Sequence, residues 1–153
     1  MWLTVSTKRI KSLRNPAVKM SKSDVDRLSS ILLTDSADIV CEKVRKAVTD
    51  MNPVITYDVC GRPGVSNLID IASAFTNMTV DEVCQSSRQF DTVAFKNFVA
   101  DVVIERLKPI GDEITRLLSD VAYLSKVIGD GNERAAVIAN DTYSDVSRLI
   151  GFQ

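Results

Sequence analysis

A mainly α protein, an antiparallel helical bundle preceded by a short strand and an exposed loop, is the fold this sequence predicts. Three observations predict it. Apolar residues recur at helical spacing through most of residues 36–150. Alternation is too weak for a sheet. Short connections marked by caps, Pro and Gly join the periodic stretches, which favours antiparallel neighbours.

The elements follow in chain order. Asn15-Pro16 marks a turn, and the Ser/Lys-rich run after it lacks any periodicity, so residues 15–27 read as an exposed loop. Ser30-Ile31-Leu32-Leu33 is a short apolar run between polar residues, expected as a strand. Ser36 can cap a helix with Ile39, Val40, Val44, Ala47 and Val48 on its inner stripe, and Asn52-Pro53 stops the chain from continuing it. Pro63-Gly64 opens a second helix carrying Val65, Leu68, Ile69, Ala72 and Phe75. Thr79-Val80-Asp81-Glu82 has the form of a capping box and starts a short helix to about Ser87. A longer helix places Phe95, Phe98, Val99, Val102, Val103, Ile104 and Leu107 on one face, and Pro109 is expected to kink or break it before Ile114, Leu117 and Leu118. Tyr123, Leu124, Val127 and Ile128 make one or two further turns ended by Gly129. A last helix with Ala135, Ile138, Ala139, Val146, Leu149 and Ile150 stops at Gly151. Phe75, Phe95 and Phe98 are assigned to the core.

With 153 residues, 45% of them apolar and 25% charged, the chain can bury a core without staples. Its net charge of −1 conceals an asymmetry: residues 1–23 hold Lys8, Arg9, Lys11, Arg14, Lys19 and Lys22 and no acid, leaving 13 basic against 20 acidic residues elsewhere. An anion is therefore expected at the N-terminal end, and contacts with RNA must come from local patches. Cys41, Cys60 and Cys84 lack CxxC spacing and histidine is absent, which excludes a zinc site or a histidine triad built from this chain and suits a reducing compartment. No apolar stretch reaches membrane-spanning length. Met1 to Arg14, basic and acid-free, has the look of a mitochondrial transit peptide.

Lys19-Met20-Ser21-Lys22-Ser23 sets two lysines three residues apart among small hydroxyl residues, a mobile cationic clamp suited to a polyphosphate. On composition alone such a pentapeptide also reads as a solvated linker. The run resembles the KMSKS signature of class I aminoacyl-tRNA synthetases. Ala47-Val48-Thr49-Asp50, Tyr57-Asp58 and Arg62-Pro63-Gly64-Val65-Ser66-Asn67-Leu68 follow it in the order seen in bacterial-type tryptophanyl-tRNA synthetases, and the chain is similar to the C-terminal portion of that family.

The resemblance implies an activity, tryptophan–tRNA ligation, with Lys19 and Lys22 as the groups that meet the departing pyrophosphate. Met20, Ser21 and Ser23 complete the ATP-binding loop, and Pro16 stiffens its entry. Val25 stands where relatives carry Pro, which removes one source of loop rigidity. The intact Lys22 points to a bacterial or organellar type. Arg9 to Leu13 resembles the strand and turn that lead into the signature, so Met1 reads as a truncated or mis-started beginning instead of a targeting signal.

Residues 1–34 are then the remnant of a catalytic domain, and residues 35–153 a helical anticodon-binding domain. The nucleotide-binding Rossmann half, with its second signature, indole pocket and dimer surface, is absent, so the chain alone is expected to be inactive. Implied partners are tRNA-Trp, ATP with Mg2+, and tryptophan, the latter two through the missing half; no metal site and no membrane contact are implied. Arg88, Lys96, Arg106 and Lys108 are candidate tRNA contacts, as are Arg116, Lys126, Arg134 and Arg148, each of which also reads as a solvated helix-face charge. For Arg62 to Asn67, and for Thr49 and Asp50, turn geometry and support of the signature loop from behind are the two readings. A stand-alone helical RNA-binding or protein-binding module is the alternative function. The closing Arg148 to Phe152 resembles mitochondrial members, giving the mitochondrial matrix as the expected compartment and bacterial cytoplasm as the alternative.

Overall fold

The computed structural model describes residues 9–152, so the residues ahead of Arg9 in the N-terminal reading lie outside it. Five helices follow one another: α1 (Ala37–Arg45), α2 (Pro63–Thr76), α3 (Val80–Ser86), α4 (Thr92–Ser119) and α5 (Val121–Ile150). Each start has a local cause. The Ser36 hydroxyl accepts from the Ile39 amide at α1, and Pro63 occupies the first turn of α2, where its missing N–H costs nothing. Thr79 and Glu82 satisfy each other's backbone amides at α3, and Asp120 accepts from the Tyr123 amide at α5. Helix α2 ends at Asn77 and α5 at Gly151, both in left-handed backbone geometry.

The chain divides into two units, residues 1–112 and 113–153. In the first, the core is built from Leu13, from Val40 and Val44 of α1, from Val65, Leu68, Ile69, Ile71 and Ala72 of α2, from Val83 of α3, and from Phe95, Val99, Ala100 and Val103 of α4. Phe75 and Phe98 pack against this cluster from its edge.

Three expectations are corrected. No strand forms at residues 30–33, nor anywhere among the described residues. The Leu32 amide instead donates to the Asp35 carboxylate at 2.8 Å, a closed turn that leaves no ladder to extend. Pro109 does not end its helix: α4 runs through it, and the carbonyl of Glu105 that loses its partner belongs to an exposed residue and can turn to water. Gly129 does not cap; α5 continues through both Gly129 and Gly131, because an interior glycine costs only about 1 kcal/mol and removes no hydrogen bond. No residue of α5 is buried, and its apolar residues Ile138, Leu149 and Ile150 are exposed.

Candidate phosphate-binding hairpin

The signature run emerges from a small hairpin over residues 10–20. The Ser12 amide donates to the Val18 carbonyl and the Met20 amide to the Ile10 carbonyl, both at 3.0 Å, so Lys11 and Lys19 form the antiparallel bridge between these bonds. At the turn, the Val18 amide donates to the Asn15 carbonyl at 3.1 Å and the Ala17 amide to the Asn15 side chain at 3.1 Å. Ile10 and Met20 pack against the core, which anchors the root of the loop and leaves Lys11 and Lys19 on the opposite face.

In such a pair the N–H and C=O of Lys11 point outward and need partners. Asn67 of α2 supplies both: its Oδ1 accepts from the Lys11 amide at 2.7 Å, and its Nδ2 donates to the Lys11 carbonyl at 2.9 Å. One buried side-chain amide thus does the work of a neighbouring strand. Leu13 is held similarly, its amide donating to the Ser29 carbonyl at 2.9 Å and its carbonyl accepting from Val48 at 2.8 Å. Val48 in turn lies on the start of α2. A Cβ on Gly64 would stand 2.1 Å from the Val48 carbonyl oxygen, so only glycine permits that approach.

Beyond Met20 the chain turns outward. The Ser21 and Ser23 hydroxyls are 3.0 Å apart, and the Asp24 amide donates to the Ser21 carbonyl at 3.3 Å. Lys19, Lys22 and Ser23 are exposed, and neither lysine has an ion pair or hydrogen bond to any described residue. Val25 is fully exposed in the loop. Behind the hairpin lies a cavity of about 360 Å³, onto which Arg9, Lys11, Asn67 and Asp70 open. Burial raises the Asp70 carboxyl above its ordinary range, opposed by the hydrogen bond it accepts from the Tyr57 hydroxyl at 3.1 Å.

Arg62 organises the segment between α1 and α2. Its guanidinium grips Asp50 through two bonds of 2.9 and 2.8 Å, and also donates to the carbonyls of Asn52 and Val54 and to Thr56 Oγ1. The Arg62 hydrogen bonds hold the Asp50 carboxyl below its usual range.

The four named tRNA candidates separate. Lys96 Nζ donates to the carbonyls of Arg45 and Ala47 at 3.2 and 2.8 Å, closing the end of α1, and burial lowers the pKa of its ammonium. Arg106 Nε donates to the Phe75 carbonyl at 3.1 Å near the end of α2. Lys108 forms an exposed ion pair with Asp112 at 2.8 Å, and Arg88 lies exposed at the rim of a second cavity of about 430 Å³ with Tyr57 and Cys84. Burial pushes the Cys84 thiol up, away from the reactive thiolate.

A sequence model of tRNA synthetases class I (W and Y) matches residues 3–108, which include the hairpin, α1 to α3 and the first part of α4. The chain belongs to that class I tRNA synthetase family. Within it, tryptophan–tRNA ligase of Rickettsia typhi is 38% identical over 144 residues, covering 94% of this chain and 44% of that protein. Mitochondrial tryptophan–tRNA ligase of Saccharomyces cerevisiae is 35% identical over 152 residues, covering 98% of this chain and 40% of the relative. The chain therefore spans less than half the length of these curated relatives. A solved tryptophanyl-tRNA synthetase from Mycoplasma pneumoniae superimposes with a TM-score of 0.67 at 23% identity, over 95% of this chain and 44% of that one, which shows a shared fold.

The sequence identifies the pentapeptide and offers, as one of two readings of Arg62 to Asn67, support of the loop from behind, but it does not show which atoms make that support. The Asn67 to Lys11 bridge spans 56 positions, and the only local sign of the hairpin is the alternation of Ile10 and Met20 with Lys11 and Lys19. Arg62 and Asp50 were both singled out, but not as partners.

Proposed function

We propose that this chain is the signature-loop and helical portion of a tryptophan–tRNA ligase, with Lys19 and Lys22 acting on the leaving diphosphate. Residues 1–34 then serve the catalytic half and residues 35–153 the tRNA-binding half. In the activation step a tryptophan carboxylate oxygen bonds to the α-phosphorus of ATP while the bond from that phosphorus to the bridging oxygen breaks. Diphosphate leaves with the electron pair of that bond. Negative charge grows on the departing oxygens, and cations that meet it late, after ATP has bound, lower the barrier most. Lysine suits this role, since its compact ammonium sits on a flexible stem that can follow the leaving group and let it go. Mg2+ enters with ATP as part of the substrate; among the described residues no group of three or more acidic, Cys or His side chains is placed to hold a metal.

The observation that carries this reading is the pairing of a fixed root with free tips. Met20 is packed in the core edge while Lys19 and Lys22, on either side of it, remain exposed and uncommitted. Ser21 and Ser23 supply hydroxyls to the same loop. For the tRNA half, the capping bonds of Lys96 and Arg106 leave Arg88 and Lys108 as the better candidates of the four. The yeast mitochondrial relative and the reducing character of three free thiols support the mitochondrial matrix, with bacterial cytoplasm as the other compartment.

Joining this chain to the remaining part of the Rickettsia typhi relative and comparing Lys22→Ala with wild type tests the proposal. Turnover in tryptophan-dependent exchange of pyrophosphate into ATP should fall about 10²- to 10³-fold, the usual effect of removing one group that stabilises transition-state charge, with the melting temperature unchanged. Unchanged turnover removes the clamp. The 153-residue chain by itself should show no exchange; salt-sensitive tRNA binding without any exchange by the joined protein would favour the stand-alone module.

A further inference from the structure

We propose that Lys11 is a third cationic group of the same diphosphate site, held beside Lys19 by the hairpin and by Asn67. This rests on the reading of Lys19 and Lys22 given above and adds a residue outside the signature run. Lys11 and Lys19 occupy the pair whose side chains leave the same face of the hairpin, with Cβ atoms about 4.5–5.5 Å apart in that geometry. Like charges directly opposite one another on paired strands destabilise the pairing. Among the described residues no carboxylate lies within ion-pair distance of either ammonium. Asp26 is paired with Arg14 and Asp50 with Arg62, while Asp24 accepts from the Asp26 amide and Asp70, which lines the same cavity as Lys11, accepts from the Tyr57 hydroxyl.

Asn67 makes the juxtaposition rigid. It fixes the Lys11 backbone at both its N–H and its C=O, so the repulsion is not relieved by fraying of that arm of the hairpin. Its side chain opens onto the cavity that Arg9, two residues away on the same face, also lines. A site with two lysines whose backbones are paired on the hairpin and a third, Lys22, on the loop matches the several negative oxygens of a diphosphate better than the single charge of a monoanion.

The 153-residue chain itself allows the test, with inorganic pyrophosphate as the probe and side-chain ammonium NMR signals as the readout. Lys11, Lys19 and Lys22 should titrate along one binding curve, while Lys108, paired with Asp112, should not move with it. Lys11→Met, which keeps the stem and removes the charge, should weaken pyrophosphate binding about three- to tenfold, the scale of one partly screened charge, while leaving the melting temperature equal or higher. Opposite signs for affinity and stability are what a merely structural lysine would not give. Lys11→Arg should restore binding, and Lys11→Gln serves if the Met variant fails to fold. A flat Lys11 curve beside titrating Lys19 and Lys22 overturns the third lysine and leaves the clamp standing. Three flat curves remove both. Equal response to inorganic phosphate at the same concentration and ionic strength shows only diffuse charge attraction and also overturns the proposal.

Discussion

Two regions of this molecule treat lysine in opposite ways. In the helical body, Lys43 is buried with its side chain 6% exposed and paired to Asp35 at 2.5 Å, and Lys96 is bonded to two carbonyls at the end of α1. On the hairpin and its loop, Lys11, Lys19 and Lys22 have no such partners among the described residues, although the Lys11 backbone is hydrogen-bonded at both its N–H and its C=O. The difference separates cations that complete the fold from cations that the fold holds ready. Charge alone does not distinguish them; commitment of the ammonium group does.

The comparison breaks most visibly at Lys43. Lys43→Met strands the Asp35 carboxylate in a site where its side chain is 8% exposed, and should cost about 3 kcal/mol or more in denaturant unfolding. Lys19→Met should stay within about 0.5 kcal/mol, as exposed substitutions do. Equal losses at the two positions would erase the distinction.

Arg62→Lys comes next, with an expected loss of about 1.5–3 kcal/mol from the broken two-pronged grip on Asp50 and the bonds to neighbouring carbonyls. Its pH dependence sharpens the assignment. Asp50 has its folded pKa depressed chiefly by Arg62, so the stabilisation is present above the ordinary carboxylate pKa and is lost as pH falls through the lowered one. The gap in stability between wild type and Arg62→Lys should therefore be widest near neutrality and narrow on acidification. A gap independent of pH would place the effect in packing. Smallest of the three, Thr79→Ala removes one half of the α3 capping box and should cost about 1 kcal/mol, a local scale against which the loop lysines should register nothing.

What was legible in the sequence divides along similar lines. The capping box at Thr79 and Glu82, the start of α2 at Pro63 and the stop at Gly151 involve residues a few positions apart, and each forms as expected. Neither a break at Pro109 nor a stop at Gly129 occurs, because helix cooperativity carries α4 and α5 across an exposed proline and an interior glycine. The run at Ser30 to Leu33 has strand composition, but a strand requires a partner, and the Asp35 carboxylate takes the Leu32 amide first. At the site, the lysine pentapeptide was visible because it is contiguous. Its support was legible only as one of two readings of Arg62 to Asn67; the contacts themselves, from Asn67 to Lys11 and from Gly64 through Val48 to Leu13, are ones that no periodicity encodes.

The way Met20 and Lys19 share one arm of the hairpin also sets where the chain tolerates a change of length. An extra residue at Ala17, inside the turn, disturbs only the bonds that Asn15 accepts from the Ala17 and Val18 amides and can be absorbed by a wider bend. The same residue placed one position later, after Val18, must either bulge from the ladder or exchange the facings of a thioether and an ammonium, sending the first to water and the second toward the core. Neighbouring insertion points thus differ in kind: one alters only the length of a bend, and the other inverts the parity on which an inside and an outside are defined.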